Sequence, residues 1–175
     1  MLYARVGDQL LLHGSTGAGA LRRVAAGAPA ALSVTHIDGW VFAHTMFDAS
    51  ANYRSAVVHG HLRNVPQESA GAALTQLVEI ITPGRSAETP PHTRKHLAST
   101  ATITMDIVPG QWTVKVRDAE PSEPEPGEDH DPTLWTGLLP ITSVYGPPTT
   151  ASRLPPDTPV SASVLAMMRN QPPHL

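Results

Sequence analysis

The sequence predicts a mainly β fold, an antiparallel barrel with a few helices at its ends. Six or seven strand-like runs follow one another along the chain, whereas only two helical patterns stand out. Several runs are adjacent in sequence, and short neighbouring strands are typical of antiparallel sheets that close on themselves. The length of 175 residues suits one domain with a sizeable core.

The first predicted strand is the apolar run at residues 9–13, which ends at the loop Gly14-Ser15-Thr16-Gly17. A helix is expected after the loop, because three apolar residues recur at helical spacing before a glycine and a proline that stop it. The apolar residues are Leu21, Val24 and Ala25, and the residues that stop the helix are Gly27 and Pro29.

A β-hairpin is predicted next. Residues 30–36 and 40–47 are strand-like, and Asp38-Gly39 lies between them. An Asp-Gly dipeptide favours a type I′ turn, because both central residues of that turn have positive φ. The sequence therefore predicts two antiparallel strands that reverse direction at Asp38-Gly39.

The middle of the chain predicts strands around one helix. Residues 55–65 are strand-like, and the helical face that follows, which ends at Pro83-Gly84, consists of Leu74, Leu77, Val78 and Ile81. Alternation then predicts a strand with one buried face, formed by Ala101, Ile103, Met105 and Ile107. The alternation continues at Trp112, Val114 and Val116, and residues 138–144 are the last predicted strand.

Two segments are expected to lack regular structure for most of their length. Residues 118–132 hold seven of the fifteen acidic residues and four prolines, which is typical of a solvated loop. Residues 146–175 carry seven prolines and predict an irregular tail, in which residues 161–169 could form a short helix. We therefore expect a barrel domain at residues 1–148 and a Pro-rich C-terminal tail at residues 149–175.

Composition excludes several classes of function. Twelve basic and fifteen acidic residues give a net charge of −3, so the chain has no basic surplus with which to bind nucleic acid. No apolar run is long enough for a membrane helix, and the N-terminus does not resemble a signal peptide. With no cysteine, the sequence predicts a cytoplasmic protein that has neither disulfides nor a Cys nucleophile.

The loop at residues 14–17 is a candidate anion site. Backbone N–H groups at the start of a helix attract a phosphate, and Arg22 or Arg23 could add charge. The loop matches neither a P-loop nor a dinucleotide fingerprint. The residues alone favour a tight turn that is N-capped by Ser15 or Thr16.

Nine histidines invite a metal interpretation, which we do not favour. His59 and His61 share a strand face, as solvated strand histidines often do, and Asp129-His130-Asp131 lies in the acidic loop, which cannot hold ligands rigidly. For a Ser-His-Asp hydrolase, the nucleophile elbow Gly-x-Ser-x-Gly is missing. No metal site is therefore expected.

Two further groups are candidate ligand contacts. Arg54 could clamp an anion or pair with a nearby carboxylate, and Tyr53 beside it could pack against a planar ligand. Trp135 could stack on a ring, although the residues alone favour packing at the end of the barrel.

Taken together, these segments resemble the pyridoxamine 5′-phosphate oxidase-like, FMN-binding split-barrel family, particularly its flavin-nucleotide-binding branch related to nitroimidazole-resistance proteins. The resemblance extends from Leu2 to about Pro148. The motifs that carry it are Leu12-His13-Gly14-Ser15-Thr16-Gly17, Asp38-Gly39, Asn52-Tyr53-Arg54-Ser55-Ala56-Val57-Val58-His59-Gly60, Lys115-Val116-Arg117 and Trp135-Thr136-Gly137-Leu138-Leu139-Pro140.

The resemblance implies a homodimer of split barrels with two FMN sites at the subunit interface. The residues that it assigns to the cofactor are His13, Gly14, Ser15, Thr16, Gly17, Tyr53, Arg54, Ser55 and Trp135, the last of them reaching the flavin ring from the partner subunit. Two departures from the family pattern stand out. The family's phosphate-gripping Ser-Arg or Ser-Arg-Lys is Ala18-Gly19-Ala20 here, and its first helix and strand have no counterpart before Leu2.

The resemblance implies an FMN-dependent oxidoreductase that acts on an unidentified small substrate. The flavin would carry the redox chemistry, while the protein orients the reactants. No side chain stands out as an acid or base, although Lys115 and Arg117 are candidates for binding an anionic substrate or for interface pairing. The alternatives are a dimer that binds a flavin, deazaflavin or haem without turnover, and a structural dimer that binds nothing.

Overall fold

The computed structural model describes residues 1–19, 21, 23 and 26–170. Within these residues the chain divides into two compact units. The first contains residues 1–31, 59–111 and 144–170, and the second contains residues 32–58 and 112–143.

Seven strands of the described residues form one sheet. They are β1 (Tyr3–Val6), β2 (Gln9–Ser15), β3 (Ala26–Phe42), β4 (Ser50–Asn64), β5 (Thr100–Asp106), β6 (Trp112–Arg117) and β7 (Gly137–Pro140). Their hydrogen-bonded order is β1-β2-β5-β4-β3-β7, and β6 pairs with β4. The strand registers are antiparallel, which confirms the predicted mainly antiparallel β fold.

Three α-helices lie wholly within the described residues, and Gly19, Leu21 and Arg23 are also helical. The three helices are α1 (Gln67–Ile81), α2 (Arg94–Ser99) and α3 (Ala162–Arg169), and a 3₁₀ turn spans Arg85–Glu88. The prediction of α1 and of its end at Pro83-Gly84 is confirmed, since Gly84 takes a φ of 82° that favours glycine. Of the helix predicted across Leu21, Val24 and Ala25, the last two residues lie outside the described part of the chain.

The core of the first unit lies on β2 and β5. Leu10, Leu11 and Leu12 are buried, as the predicted strand at residues 9–13 requires, and Ile103 and Met105 on β5 are 0% and 1% exposed. Strand β1, which the sequence did not predict, pairs with β2 through the register Ala4↔Leu11. Helix α1 covers this region with the buried side chains of Ala70, Leu74 and Leu77.

The prediction that β5 has only one buried face is wrong. Thr102 and Thr104 are 4% and 9% exposed, so both faces of the strand are buried although only one face is apolar. The strand lies between β2 and β4 in the sheet, and for such a central strand the burial of side chains depends on tertiary neighbours that alternation cannot identify.

The predicted hairpin at Asp38-Gly39 is wrong. Strand β3 runs without interruption through both residues to Phe42, and neither has a positive φ. Gly39 lies opposite Pro140 of β7, where an added Cβ would meet the Leu139 carbonyl oxygen at 3.0 Å. The glycine therefore permits close approach of another strand, a role that its dipeptide context cannot distinguish from a turn.

Two other boundaries differ from the predictions. Strand β7 ends at Pro140, whereas the sequence predicted a strand to residue 144. Pro140 has no N–H to donate to the neighbouring strand. After it, the Ile141 N–H donates a hydrogen bond to the Asp38 carbonyl. On β6, the apolar residues are not buried: Trp112, Val114 and Val116 are 48%, 56% and 61% exposed. Residues 118–132 form the predicted irregular loop.

Helix α3 lies within the Pro-rich tail, where the sequence allowed a short helix. The carboxylate of Glu88 accepts hydrogen bonds from the Ser163 backbone N–H at 2.8 Å and from the Ser163 hydroxyl at 2.6 Å. These bonds hold the pKa of Glu88 at about 2. Glu88 thus serves the N-terminal turn of α3 as an acceptor supplied by a distant part of the sequence.

Candidate functional site

Five of the predicted cofactor residues lie in the first unit at the end of β2 and in the turn that follows it: His13, Gly14 and Ser15 belong to the strand, which extends further than the sequence predicted, and Thr16 and Gly17 form the turn. The end of the strand pairs with β5, so that His13 lies opposite Thr102 and Ser15 opposite Thr100. The Nδ1 atom of His13 is buried and has no hydrogen-bond partner among the described residues. An added Cβ at Gly14 would overlap the end of the Leu21 side chain, so a larger residue here would require that side chain to move.

The backbone N–H groups of this loop are already bonded within the chain. The N–H of Thr16 donates to the Ser99 carbonyl at 3.1 Å, and that of Gly17 donates to the Ser15 hydroxyl at 3.1 Å. Ala18 donates to the Ser15 carbonyl at 3.0 Å. The loop therefore has the tight-turn geometry that the residues alone favoured, with Ser15 as the capping side chain.

A cavity of about 550 Å³ lies beside this loop in the first unit. Its volume is within the range of small-molecule sites. Thr16, Asn64, Gln67, Thr100 and Thr102 contribute polar groups, whereas Leu97 and Ala70 are among its apolar residues. The loop thus borders a space that can hold part of an organic ligand.

Arg54 belongs to the second unit and lies on β4. Its Nε and Nη2 atoms donate to both carboxylate oxygens of Asp38, at distances from 2.8 to 3.2 Å. His36 Nδ1 lies 3.1 Å from the same carboxylate. Hydrogen bonds from Arg54, supported by His36, lower the pKa of Asp38, and Asp38 in turn raises the pKa of Arg54. The carboxylate pairing considered for Arg54 is therefore present, and it fixes the orientation of the guanidinium.

The neighbouring candidate residues also have partners in the second unit. Lys115 Nζ lies 5.7 Å from the centre of the Tyr53 ring, and Lys115 is the register partner of Ser55 across β4 and β6. Arg117 donates to the Oδ1 atom of the buried Asn52 at 2.8 Å. Lys115 is thus exposed near the Tyr53 ring, whereas Arg117 stabilises the strand end.

Trp135 precedes β7 in the second unit and is 64% exposed. Its ring centroid lies 5.8 Å from that of Phe42, at an interplanar angle of 52°. An added Cβ at Gly137 would lie only 2.7 Å from the indole, so the glycine allows the ring to lie against the backbone. Most of the indole surface is therefore open for stacking, instead of being packed in the core.

A sequence model of the pyridoxamine 5′-phosphate oxidase family matches residues 1–123. The chain belongs to this family. Its membership confirms the resemblance found in the sequence, and together with the antiparallel sheet it confirms a fold of the split-barrel type. No curated protein matches the chain.

Solved structures of the same fold include an FAD and heme binding protein and a flavocytochrome. An FAD and heme binding protein from Mycobacterium smegmatis is 38% identical, with a TM-score of 0.86 over 94% of this chain and 80% of that chain. The flavocytochrome Anf3 from Azotobacter vinelandii is 26% identical, with a TM-score of 0.82 over 94% of this chain and 75% of that chain. A putative 5-nitroimidazole antibiotic resistance protein from Bacteroides thetaiotaomicron, 15% identical with a TM-score of 0.51 over 65% of this chain and 64% of that chain, shares the fold.

The structure groups the predicted family site residues by unit. His13, Gly14, Ser15, Thr16 and Gly17 lie together in the first unit, and Tyr53, Arg54, Ser55 and Trp135 belong to the second. Their assignment to a cofactor stays a prediction. Arg22 lies outside the described residues, and a Cβ at Gly19 would meet nothing within 4 Å.

The sequence did not identify Asp38 and His44 as candidate site residues. Asp38 was taken as a turn residue, although its spacing of two from His36 would place both on one strand face. His44 was not singled out: its Nδ1 atom is buried without a partner, and its ring centroid lies 5.0 Å from that of His130. No short motif marks His44, since its environment is formed by a loop distant in sequence.

Two kinds of feature are absent from the described residues. No group of three His, Asp or Glu side chains there is arranged to hold a metal ion. No helix in the same residues has the length and apolar character to cross a membrane.

Proposed function

We propose that this protein binds a flavin nucleotide and serves as a redox protein for a small substrate. The observation that carries the proposal is the similarity, over 94% of the chain and at 38% identity, to a protein described as binding FAD and heme. The flavin would supply the electron-transfer chemistry. The chain would bind the cofactor, orient it and shield it from water.

The described residues fit the ring end of a flavin better than its phosphate end. The exposed indole of Trp135 offers a stacking surface, and the unpartnered Nδ1 of His13 offers a hydrogen-bonding group next to the loop. The amides of residues 16–18 are occupied, and Ala18-Gly19 lack the family's phosphate-gripping side chains. We infer that FMN binds more weakly than the family pattern implies, and that a flavin with further contacts, such as FAD, binds more tightly.

We further propose a homodimer in which each flavin site draws on both chains. The second unit exposes large apolar side chains on its strands, and these are Trp40, Phe42, Trp112, Val114, Val116 and Leu139. A soluble chain rarely leaves so much apolar strand surface in contact with water. A second copy of the chain would cover it, and obligate interfaces of this kind bury more than about 2,000 Å².

Haem is the second candidate cofactor. The proteins of similar structure from Mycobacterium smegmatis and Azotobacter vinelandii are described as an FAD and heme binding protein and a flavocytochrome. The Nδ1 atom of the His44 imidazole is buried and has no hydrogen-bond partner among the described residues. Imidazole is a common axial ligand of haem iron. Loss of the haem absorption band on reconstitution of His44→Gln, with retention in a His92→Gln control, would support this ligand; equal spectra would exclude it.

The flavin proposal is tested by titrating FAD, FMN and riboflavin into the purified protein while following flavin fluorescence. We expect Trp135→Ala to weaken all three by roughly 3- to 10-fold, because aromatic pairs contribute about 0.5–1.5 kcal/mol beyond their buried area. Tyr145→Ala removes another exposed aromatic residue and should leave the affinity unchanged. Absence of binding by the wild-type protein would contradict the proposal.

A further inference from the structure

A second cavity, of about 640 Å³, lies in the first unit and is lined by none of the residues assigned to the flavin. Strand β4, the start of β3 and the segment that follows β5 contribute its walls. The volume is within the range of small-molecule sites. The cavity is therefore large enough for a ligand of its own.

One wall of this cavity carries three nitrogen-bearing side chains from a single strand face. His59, His61 and Arg63 are alternate residues of β4 and all are exposed, because successive strand residues point to opposite faces. Val58, just before this run, and Leu62, within it, lie on the other face of the strand and are buried at 8% and 7% exposure. The regular strand thus presents two imidazoles and a guanidinium side by side.

Asp106 is the only carboxylate among the described residues that line this cavity, and its oxygens are already occupied. Arg63 Nη2 lies 2.7 Å from one oxygen and 2.9 Å from the other, and Gln9 Nε2 donates to the second oxygen at 2.9 Å. Arg63 and Gln9 also lower the pKa of Asp106. The carboxylate is therefore ionised and balances Arg63, while the two imidazoles have no such counter-ion in the cavity.

The other residues that line the cavity are mainly apolar, with Gln111 as a further polar side chain. The segment Pro29-Ala30-Ala31 and the side chain of Val108 border the cavity, and Val108 is 48% exposed. Apolar walls facing a few polar groups are the usual design of a small-molecule site. The lining therefore suits a ligand with one charged end and one apolar end.

We propose that this cavity binds a small organic carboxylate, with the anion held by His59 and His61 and the apolar body against Val108 and Pro29. The imidazole N–H groups donate to the carboxylate oxygens, and they gain positive charge when protonated. A cation is disfavoured, because the Asp106 oxygens are taken and no metal-holding group of three is found among the described residues. The site goes beyond the flavin function and does not depend on it.

The test uses benzoate as the probe and benzamide as its uncharged counterpart, added to the flavin-free full-length protein at about pH 6, where imidazoles carry positive charge. NMR of the imidazole rings reports binding directly. We expect benzoate to shift the His59 and His61 signals with a dissociation constant at least about 10-fold lower than that of benzamide, since charge-assisted hydrogen bonds exceed neutral ones in strength. The His59→Gln, His61→Gln double variant should bind benzoate at least about 10-fold more weakly by calorimetry.

A His92→Gln variant is the matched control, because His92 is exposed and does not line the cavity. Its benzoate affinity should equal that of the wild type, and unchanged circular dichroism would show that all variants are folded. Equal affinity for benzoate and benzamide, or an unchanged affinity in the double variant, would overturn the proposal. Tighter binding of inorganic phosphate than of benzoate would also overturn the assignment to an organic carboxylate.

Discussion

Gly39 shows how one missing side chain determines the packing of two strands. Its backbone is extended, yet a Cβ at this position would lie 3.0 Å from the Leu139 oxygen and 3.3 Å from the Pro140 Cα. Both neighbours are backbone atoms, which cannot move aside as a flexible side chain can. The position favours glycine because β7 approaches it closely, not because a turn requires positive φ.

We therefore expect Gly39→Ala to destabilise the protein by about 1–3 kcal/mol, which is the usual cost of overpacking. Gly146→Ala is the control, since a Cβ there would meet nothing within 4 Å. Urea denaturation of both variants measures the difference. A Gly39→Ala variant as stable as the wild type would show that β7 can separate from β3 without cost.

A substitution at Gly19 is expected to strengthen the binding of FMN. An arginine there has open space around its Cβ and restores the charge that the family places after the loop. We expect Gly19→Arg to bind FMN about 10- to 100-fold more tightly, since a charge-assisted contact to a phosphate contributes about 1.5–3 kcal/mol. Riboflavin, which has no phosphate, should not gain affinity. Equal gains for both ligands in fluorescence titrations would place the phosphate elsewhere.

At the scale of whole elements, helix α3 depends on a residue that is far away in sequence. Glu88 accepts two hydrogen bonds from Ser163, and Arg85 donates to Glu88 at 3.0 Å and to the Ser161 hydroxyl at 3.2 Å. Since α3 has only eight residues, local propensity alone cannot stabilise it. The Glu88 contact thus orders part of an otherwise irregular tail.

We expect Glu88→Gln to accelerate amide hydrogen exchange across α3 several-fold relative to the wild type, because a neutral amide is a weaker acceptor than a carboxylate. Glu68→Gln, at an exposed position of α1, is the control and should leave α3 unchanged. Unaltered protection in Glu88→Gln would mean that other contacts hold the helix.

The same contact predicts a pH dependence. The pKa of Glu88 falls from its ordinary 4.5 to about 2 in the folded protein. A group whose pKa is lowered by folding stabilises the folded state above its unfolded pKa and loses that contribution as pH falls toward the folded value. We therefore expect protection factors in α3 to be constant above pH 4.5 and to decrease toward pH 2. A decrease that begins near neutral pH would contradict this assignment.

Local patterns were sufficient for several elements, and tertiary context decided the others. The apolar face of α1 and the run at residues 9–13 predicted a helix and a strand that the structure contains. The turn at Asp38-Gly39 failed because the partner of Gly39 lies about one hundred residues later, on β7. Burial of Thr102 also depends on a neighbouring strand that periodicity cannot identify.

The candidate site was predictable to a similar extent. The sequence located the loop at residues 14–17 and the strand that carries Arg54, since both rest on short motifs. It could not show that Ser99 would accept the Thr16 N–H, nor whether Asp38 or a ligand would pair with Arg54, because these partners depend on the three-dimensional course of the chain.

At the scale of the whole molecule, the exposed apolar strands of the second unit predict self-association. We expect light scattering of the wild type at micromolar concentration to give twice the chain mass of 18.6 kDa. Val114→Lys places a charge on β6, where Val114 is 56% exposed, and should shift the population to monomer. Val144→Lys, at a residue that is 64% exposed outside these strands, should remain dimeric. A monomeric wild type would contradict the proposal.

The visible absorption spectrum of the protein tests whether it is a flavin-binding redox protein. After incubation with excess FAD and FMN and removal of free cofactor, we expect the absorption bands of oxidised flavin, their bleaching on chemical reduction, and release of intact flavin identified by mass spectrometry. A folded protein that retains neither flavin, and shows no flavin band under any of these conditions, would contradict the proposed flavin-binding function.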